Sequence, residues 1–120
     1  MNKRTTSDCI ADVRTELLKH VDYSYYREAP EEKTFPYVVF DVRPMGDDMM
    51  VVELDMWAKR PNQISLLDTA NEIEAALDGF IIDSPAYTLA LFSNNDGKWL
   101  IDEDKDFLHF NLSFNGVYQS

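Results

Sequence analysis

The chain has 120 residues, 45% hydrophobic and 28% charged, the composition of one folded domain with its own core rather than a disordered segment. Asp and Glu number 22 against 11 Lys and Arg, a formal net charge of −11. That balance excludes a general nucleic-acid coat, which needs a positive footprint, and it disfavours an anionic membrane surface for the same reason.

The one cysteine, Cys9, rules out an internal disulfide and a thiolate-built zinc site. The N-terminal run Met1-Asn2-Lys3-Arg4-Thr5-Thr6-Ser7-Asp8 is basic at its start but has no apolar stretch to act as a signal peptide. No segment approaches the roughly 18 apolar residues of a membrane span. The expectation is a protein made and kept in a reducing cytoplasm.

A first helix is predicted over Thr6–His20, with Ile10, Val13, Leu17, Leu18 and Val21 on one face. Thr5 followed by Asp8 fits a capping box, and Lys19 and His20 stand where cations suit the helix dipole. Residues 22–35 read as a long polar connection bearing Tyr23, Tyr25 and Tyr26. A strand follows at Tyr37–Arg43, then a turn over 44–48 containing Asp47 and Asp48, then a strand at Met49–Ala58. In that second strand Met50, Val52, Leu54 and Met56 alternate with Glu53, Asp55 and Trp57, the period of a strand buried on one side. A second helix spans Asn62–Asp78 with Leu66, Ala70, Ile73 and Leu77 as its stripe, Ile64 and Leu67 beside it, and Gly79 as its left-handed stop.

A third strand is predicted at Tyr87–Ser93, with 80–86 as a linking segment. Asn94-Asn95-Asp96-Gly97 is a turn signal, Trp99-Leu100-Ile101 a short apolar piece, and 102–106 an acidic run. A last strand covers Phe107–Tyr118, with Leu108, Phe110, Leu112 and Phe114 facing one way and His109, Asn111, Ser113 and Asn115 the other. The fold class expected is α+β in the order α-β-β-α-β-β: a four-stranded, mainly antiparallel sheet with two helices on one face, in a single domain over 1–120. The other face carries Asp41, Glu53, Asp55, His109, Asn111 and Ser113. A ferredoxin-like strand order and a simple meander both satisfy the pattern.

Signals for chemistry are sparse. Neither His20 nor His109 sits in a metal-clamp motif, the four glycines are isolated, and there is no Gly-x-Ser-x-Gly elbow. A calcium loop starting at Asp102 would place Phe107 and Ser113 where Gly and Glu are required. With 22 acids, pairs such as Glu53 and Asp55 arise by chance and define no acid–base couple. No catalytic residue, metal ligand or cofactor site is expected. Tyr and Trp are enriched at protein interfaces. Candidate interface residues are therefore Tyr25, Tyr26, Trp57 and Trp99, with Asp47 and Asp48 in the turn.

The chain resembles the tail-completion, or tail-terminator, proteins of long-tailed bacteriophages and prophages. The likeness lies in an N-terminal helix leading to a Tyr- and Pro-bearing loop, then Phe35-Pro36-Tyr37-Val38-Val39-Phe40, then Val52-Glu53-Leu54-Asp55-Met56-Trp57-Ala58-Lys59. The helical stripe Leu67, Asn71, Ile73, Leu77 and a long strand ending at Tyr118 complete it. It covers nearly the whole chain and rests on order and pattern. The resemblance implies structural work without catalysis: a ring, usually of six subunits, that caps the head-proximal end of the tail tube, stops polymerisation and enables head–tail joining. Implied partners are further copies of the chain, the tail tube protein and a head–tail connector protein, with DNA passing through without specific binding. The implied location is the host cytoplasm during assembly and then the virion tail. On this reading Asp41, Glu53 and Asp55 face the ring lumen. Competing readings are an acidic inhibitor or immunity-type binding module, which the charge favours, and another head–tail connector or neck protein; a small enzyme lacks an assembled nucleophile–base pair.

Overall fold

The computed structural model describes residues 3–119, with side chains from residue 7 onward. Helix α1 spans Lys3–Leu17. Cys9, Val13 and Leu17, each four residues on from the last, are fully buried, whereas Leu18 is 38% exposed, so the buried stripe is turned slightly from the expected one. Thr5 lies inside the helix rather than at its cap, and the side-chain half of the proposed Thr5–Asp8 box lies outside the described residues. Helix α2, Gln63–Leu77, buries Leu66, Ala70, Ile73 and Leu77. Gly79 follows it at φ 80°, a left-handed position that glycine takes without steric cost.

The strands are β1 (Ser24–Tyr26), β2 (Tyr37–Pro44), β3 (Met49–Lys59), β4 (Ile81–Asp83), β5 (Thr88–Ser93), β6 (Lys98–Leu100) and β7 (Phe107–Gln119). They correct the expected four-stranded antiparallel sheet. All seven belong to one mixed sheet curled into a half-barrel, in the order β1-β2-β3-β7-β5-β4, with β6 also paired to β7. β1 runs parallel to β2, and every other pairing is antiparallel. Chain order is therefore α-β-β-β-α-β-β-β-β. The strands missing from the expectation, β1, β4 and β6, are three residues each. A three-residue run is too short to display a period of two. They lie in the predicted connection 22–35, the linking segment 80–86 and the apolar piece at 99–101.

β7 is the spine. β3 pairs with one edge of it from Phe107 to Val117. β5 and β6 share the other edge, β5 along Phe114–Gln119 and β6 along His109–Asn111. Because Ser93 pairs with Phe114 and Lys98 with Asn111, residues 94–97 stand opposite only 112–113. The expected turn at Asn94–Gly97 is thus a bulge between two collinear strands rather than the reversal of a hairpin. Asp96 holds it: its carboxylate accepts the Ser113 backbone N–H at 2.8 Å and the Ser113 hydroxyl at 2.5 Å. Asn94 N–H closes on Ser113 O at 3.1 Å.

Phe40, Met50, Leu54, Met56, Leu89, Leu91, Leu112 and Phe114 form the covered face, and both helices pack into that one core. Side chains of this size contribute about 1.5–3 kcal/mol each when fully buried. Gly116 sits in the same layer, paired with Met50 on one side and Leu91 on the other. A buried Tyr87 donates its hydroxyl to Asp12 across to α1, and the ring of Tyr118 stacks on it.

Candidate functional surface

No helix covers the other sheet face among the described residues, and its side chains fall in rows set by the register. Tyr37, Trp57, His109 and Leu100 form one row. Val39, Asp55, Asn111 and Lys98 form the next, then Asp41, Glu53 and Ser113. Beyond them come Arg43, Val51, Asn115 and Phe92, and finally Met49, Val117, Ala90 and Ile81. The surface therefore grades from aromatic through polar to apolar along the strands.

The aromatic row is a continuous stack. Trp57 lies parallel to His109 at 4.1 Å between centroids and to Tyr37 at 5.3 Å. Tyr25 meets Tyr37 edge-on at 6.2 Å, and Phe35 meets it at 5.1 Å. The Trp57 indole N–H donates to Asp102 at 3.3 Å, tying the row to the acidic loop. Inside that loop Asp102 and Asp104 accept the backbone N–H groups of Asp104 and Asp106, so these carboxylates brace the turn.

The three acids expected on one face do share it, each in a different bond pattern. Asp55 Oδ1 pairs with His109 Nε2 at 2.7 Å and accepts the Asn111 amide at 2.9 Å. Burial pushes the Asp55 carboxyl up, but the bonds from His109 and Asn111, with the charges of His109 and Lys98, outweigh it and hold the group below the ordinary carboxylate value. Asp41 and Glu53 stand directly opposite each other, a like-charge pair that costs energy unless bridged. Arg43 bridges them at 3.5 Å to each, and Arg27 reaches Asp41 at 3.1 Å. This part of the face is polar and internally neutralised rather than freely negative.

The other candidates do not gather into one surface. Tyr26 follows Tyr25 in β1 and so points to the covered side, where it packs on Phe40. Trp99 is also on the helix side, edge-on to Phe110. Asp47 and Asp48 are exposed at the β2–β3 turn, and the Asp48 carbonyl accepts the Tyr118 N–H at 2.8 Å. His20 bonds Glu72 at 3.0 Å and links the end of α1 to α2. Cys9 is fully buried; burial, then the nearby Asp12 charge, push its thiol up to about 12. It carries no thiolate at neutral pH. Among the described residues no three His, Cys, Asp or Glu side chains converge to hold a metal.

Sequence reading missed the apolar end of the face. Ile81 is 66% exposed, and Met49, Val117 and Phe92 are between 42% and 49% exposed. Their shared orientation depends on β4 and on the β5–β7 register, which only pairing reveals. A partial signal was present: Met49 and Val117 occupy the outward phase of two otherwise legible strands. No protein-family model and no curated protein matches the chain.

Proposed function

We propose that this chain is a ring-forming structural subunit of the tail-terminator type, which caps a tail tube, stops its polymerisation and provides the surface for head attachment. The observation that carries the assembly half of this reading is the apolar row Met49–Val117–Ala90–Ile81 with Phe92 beside it, on a sheet face that no helix covers among the described residues. Such a patch marks a contact surface, and covering each large side chain gains about 1.5–3 kcal/mol at most. Closed rings use heterologous contacts, in which such a patch meets a different surface of the next copy. The tail half rests on the resemblance in motif order. In the ring the polar half of the same face, with Asp41, Glu53 and Asp55, turns to the lumen. Arg27 and Arg43 are already paired with its own acids, so neither is left free to grip passing DNA.

Native mass spectrometry over a range of protein concentrations tests assembly, with a six-subunit species expected. Electron microscopy of tails assembled without this protein tests the role: overlong tails are expected, and tails of normal length would overturn the reading. Mapping Asp41, Glu53 and Asp55 to the outer rim of an assembled ring would overturn the lumen assignment.

A further inference from the structure

We infer that the outer edge of β4, with the acidic flank of α1 beside it, is a docking site for an extended segment of a partner protein that carries Lys or Arg at alternate positions and adds to β4 as a further strand. Three observations carry this.

The first is an open edge. The Phe80 carbonyl accepts the Leu91 N–H at 2.9 Å, and the Ser84 N–H donates to the Tyr87 carbonyl at 2.9 Å. Backbone groups alternate along a strand, so Phe80, Ile82 and Ser84 face β5. Ile81 and Asp83 direct their N–H and C=O away from it. No described group meets them, and β4 ends the strand order of the sheet. An unpaired edge is a template for another strand.

The second is the groove that this edge shares with α1. Two cavities follow one another along it, of about 360 and 320 Å³. The first brings Asp12 and Glu16 to Phe80 and Ile82; the second brings Asp8 and Asp12 to Ser84 and Ala86. α1 therefore runs antiparallel alongside 80–86. Ile82 turns toward the helices and packs on the core, while Ile81 and Asp83 turn to the uncovered face. An added strand follows the same alternation. Its side chain opposite Ile82 enters the groove. Its side chain opposite Ile81 extends the apolar row sideways without covering it.

The third is the spacing of charge inside the groove. Asp8, Asp12 and Glu16 are four residues apart, a step of about 6 Å along a helix. Alternate residues of a strand are about 6.6–6.8 Å apart. Basic residues at every second position therefore meet these acids in turn, with their aliphatic stems on Phe80 and Ile82 and their charges on α1. Lys19 already pairs with Glu16 at 2.7 Å. Asp12 accepts the Tyr87 hydroxyl, and no described Lys or Arg pairs with it or with Asp8. The segment thus needs two Lys or Arg residues two apart. No two of the 11 Lys and Arg of this chain stand two apart, so a second copy does not supply it. The site is complete within one subunit, and the inference does not rest on the ring reading.

The test is NMR titration of the ¹⁵N-labelled chain with the synthetic peptide (Lys-Val)₄. The controls are (Glu-Val)₄ and (Lys-Lys-Val-Val)₂, which keeps composition and charge but not the alternation. Expected are saturable shifts of the Ile81 and Asp83 amides, at least about tenfold slower hydrogen exchange at both, and binding at least about fivefold weaker when salt rises from about 50 to 300 mM. The double variant Asp8→Asn/Asp12→Asn should bind at least about tenfold more weakly, while Asp68→Asn on α2 should keep full binding. No saturable binding, equal binding of (Lys-Lys-Val-Val)₂, unprotected Ile81 and Asp83 amides, or undiminished binding by the double variant would overturn the proposal. So would concentration-dependent shifts at Ile81 and Asp83 without peptide, which would give the edge to a second copy. The wild-type titration stands even where a variant fails to fold.

Discussion

Replacing Gly116 with alanine puts one methyl group into the centre of the β3–β7–β5 layer. The new Cβ would lie 2.8 Å from Met50 Cγ, 2.8 Å from Leu89 Cδ1 and 3.1 Å from Leu91 Cδ2. Met50, Leu89 and Leu91 are buried, so none can swing into solvent. Two effects oppose each other. Gly→Ala at an unstrained position stabilises by about 0.4–1 kcal/mol through the unfolded chain, whereas overpacking a tight core costs about 1–3 kcal/mol. Sterics win, with a net loss of about 1.3 kcal/mol at the middle of these ranges and a melting temperature lower by roughly 5 °C for a domain of this length. Urea unfolding of Gly116→Ala should show a lower midpoint with an unchanged slope. The double variant Gly116→Ala/Leu89→Val, which removes the Leu89 Cδ1, should be more stable than the sum of its singles by about 0.5–1.5 kcal/mol. A Gly116→Ala protein as stable as the parent, or additive behaviour in the double variant, would refute the packing described here.

Because the folded Asp55 carboxyl is depressed, its contribution to stability is complete above the ordinary carboxylate value of about 4 and is lost as pH falls through the lower folded value; Asp55→Asn should therefore flatten the acid limb of stability measured by urea unfolding. His109→Ala removes one of the two bonds to Asp55 and one of the two rings stacked on Trp57, and should cost about 1–2 kcal/mol with a shift in Trp57 fluorescence. Asp96→Ala leaves the Ser113 N–H without its acceptor and should cost about 1–3 kcal/mol, with faster hydrogen exchange at Ser113. Cys9, fully buried with its thiol raised to about 12, should resist a thiol reagent at pH 8 in the native protein and react fully in denaturant.

The long strands and α2 were legible because their buried residues repeat at unambiguous intervals over 8 to 15 residues. The faces of Asp41, Glu53 and Asp55 followed from the same alternation. Their partners did not, because the bridging by Arg27, Arg43 and His109 depends on which strands are neighbours, and β7 reaches β3 across 47 intervening residues (59 to 107). Asn94–Gly97 carries the composition of a hairpin turn, yet a side-chain carboxylate in place of a backbone acceptor lets the chain carry on along the same edge of β7. Tyr25 and Tyr26 looked like one aromatic cluster while they were read as loop; the short pairing with β2 sends them to opposite faces.

The spine position of β7 has a consequence for how the chain acquires its shape. The ladder β1–β2–β3 and the ladder β4–β5 meet only through β7, the latest strand in chain order. Until it inserts, β3 and β5 each present an unsatisfied edge, and the two helices have no common floor to rest on. Such long-range closure makes folding slow and leaves the half-built sheet open to pairing with other chains. High protein concentration during refolding should therefore favour aggregation over the native state, whereas the finished fold has the three-residue strands β1, β4 and β6 at the borders of its described sheet.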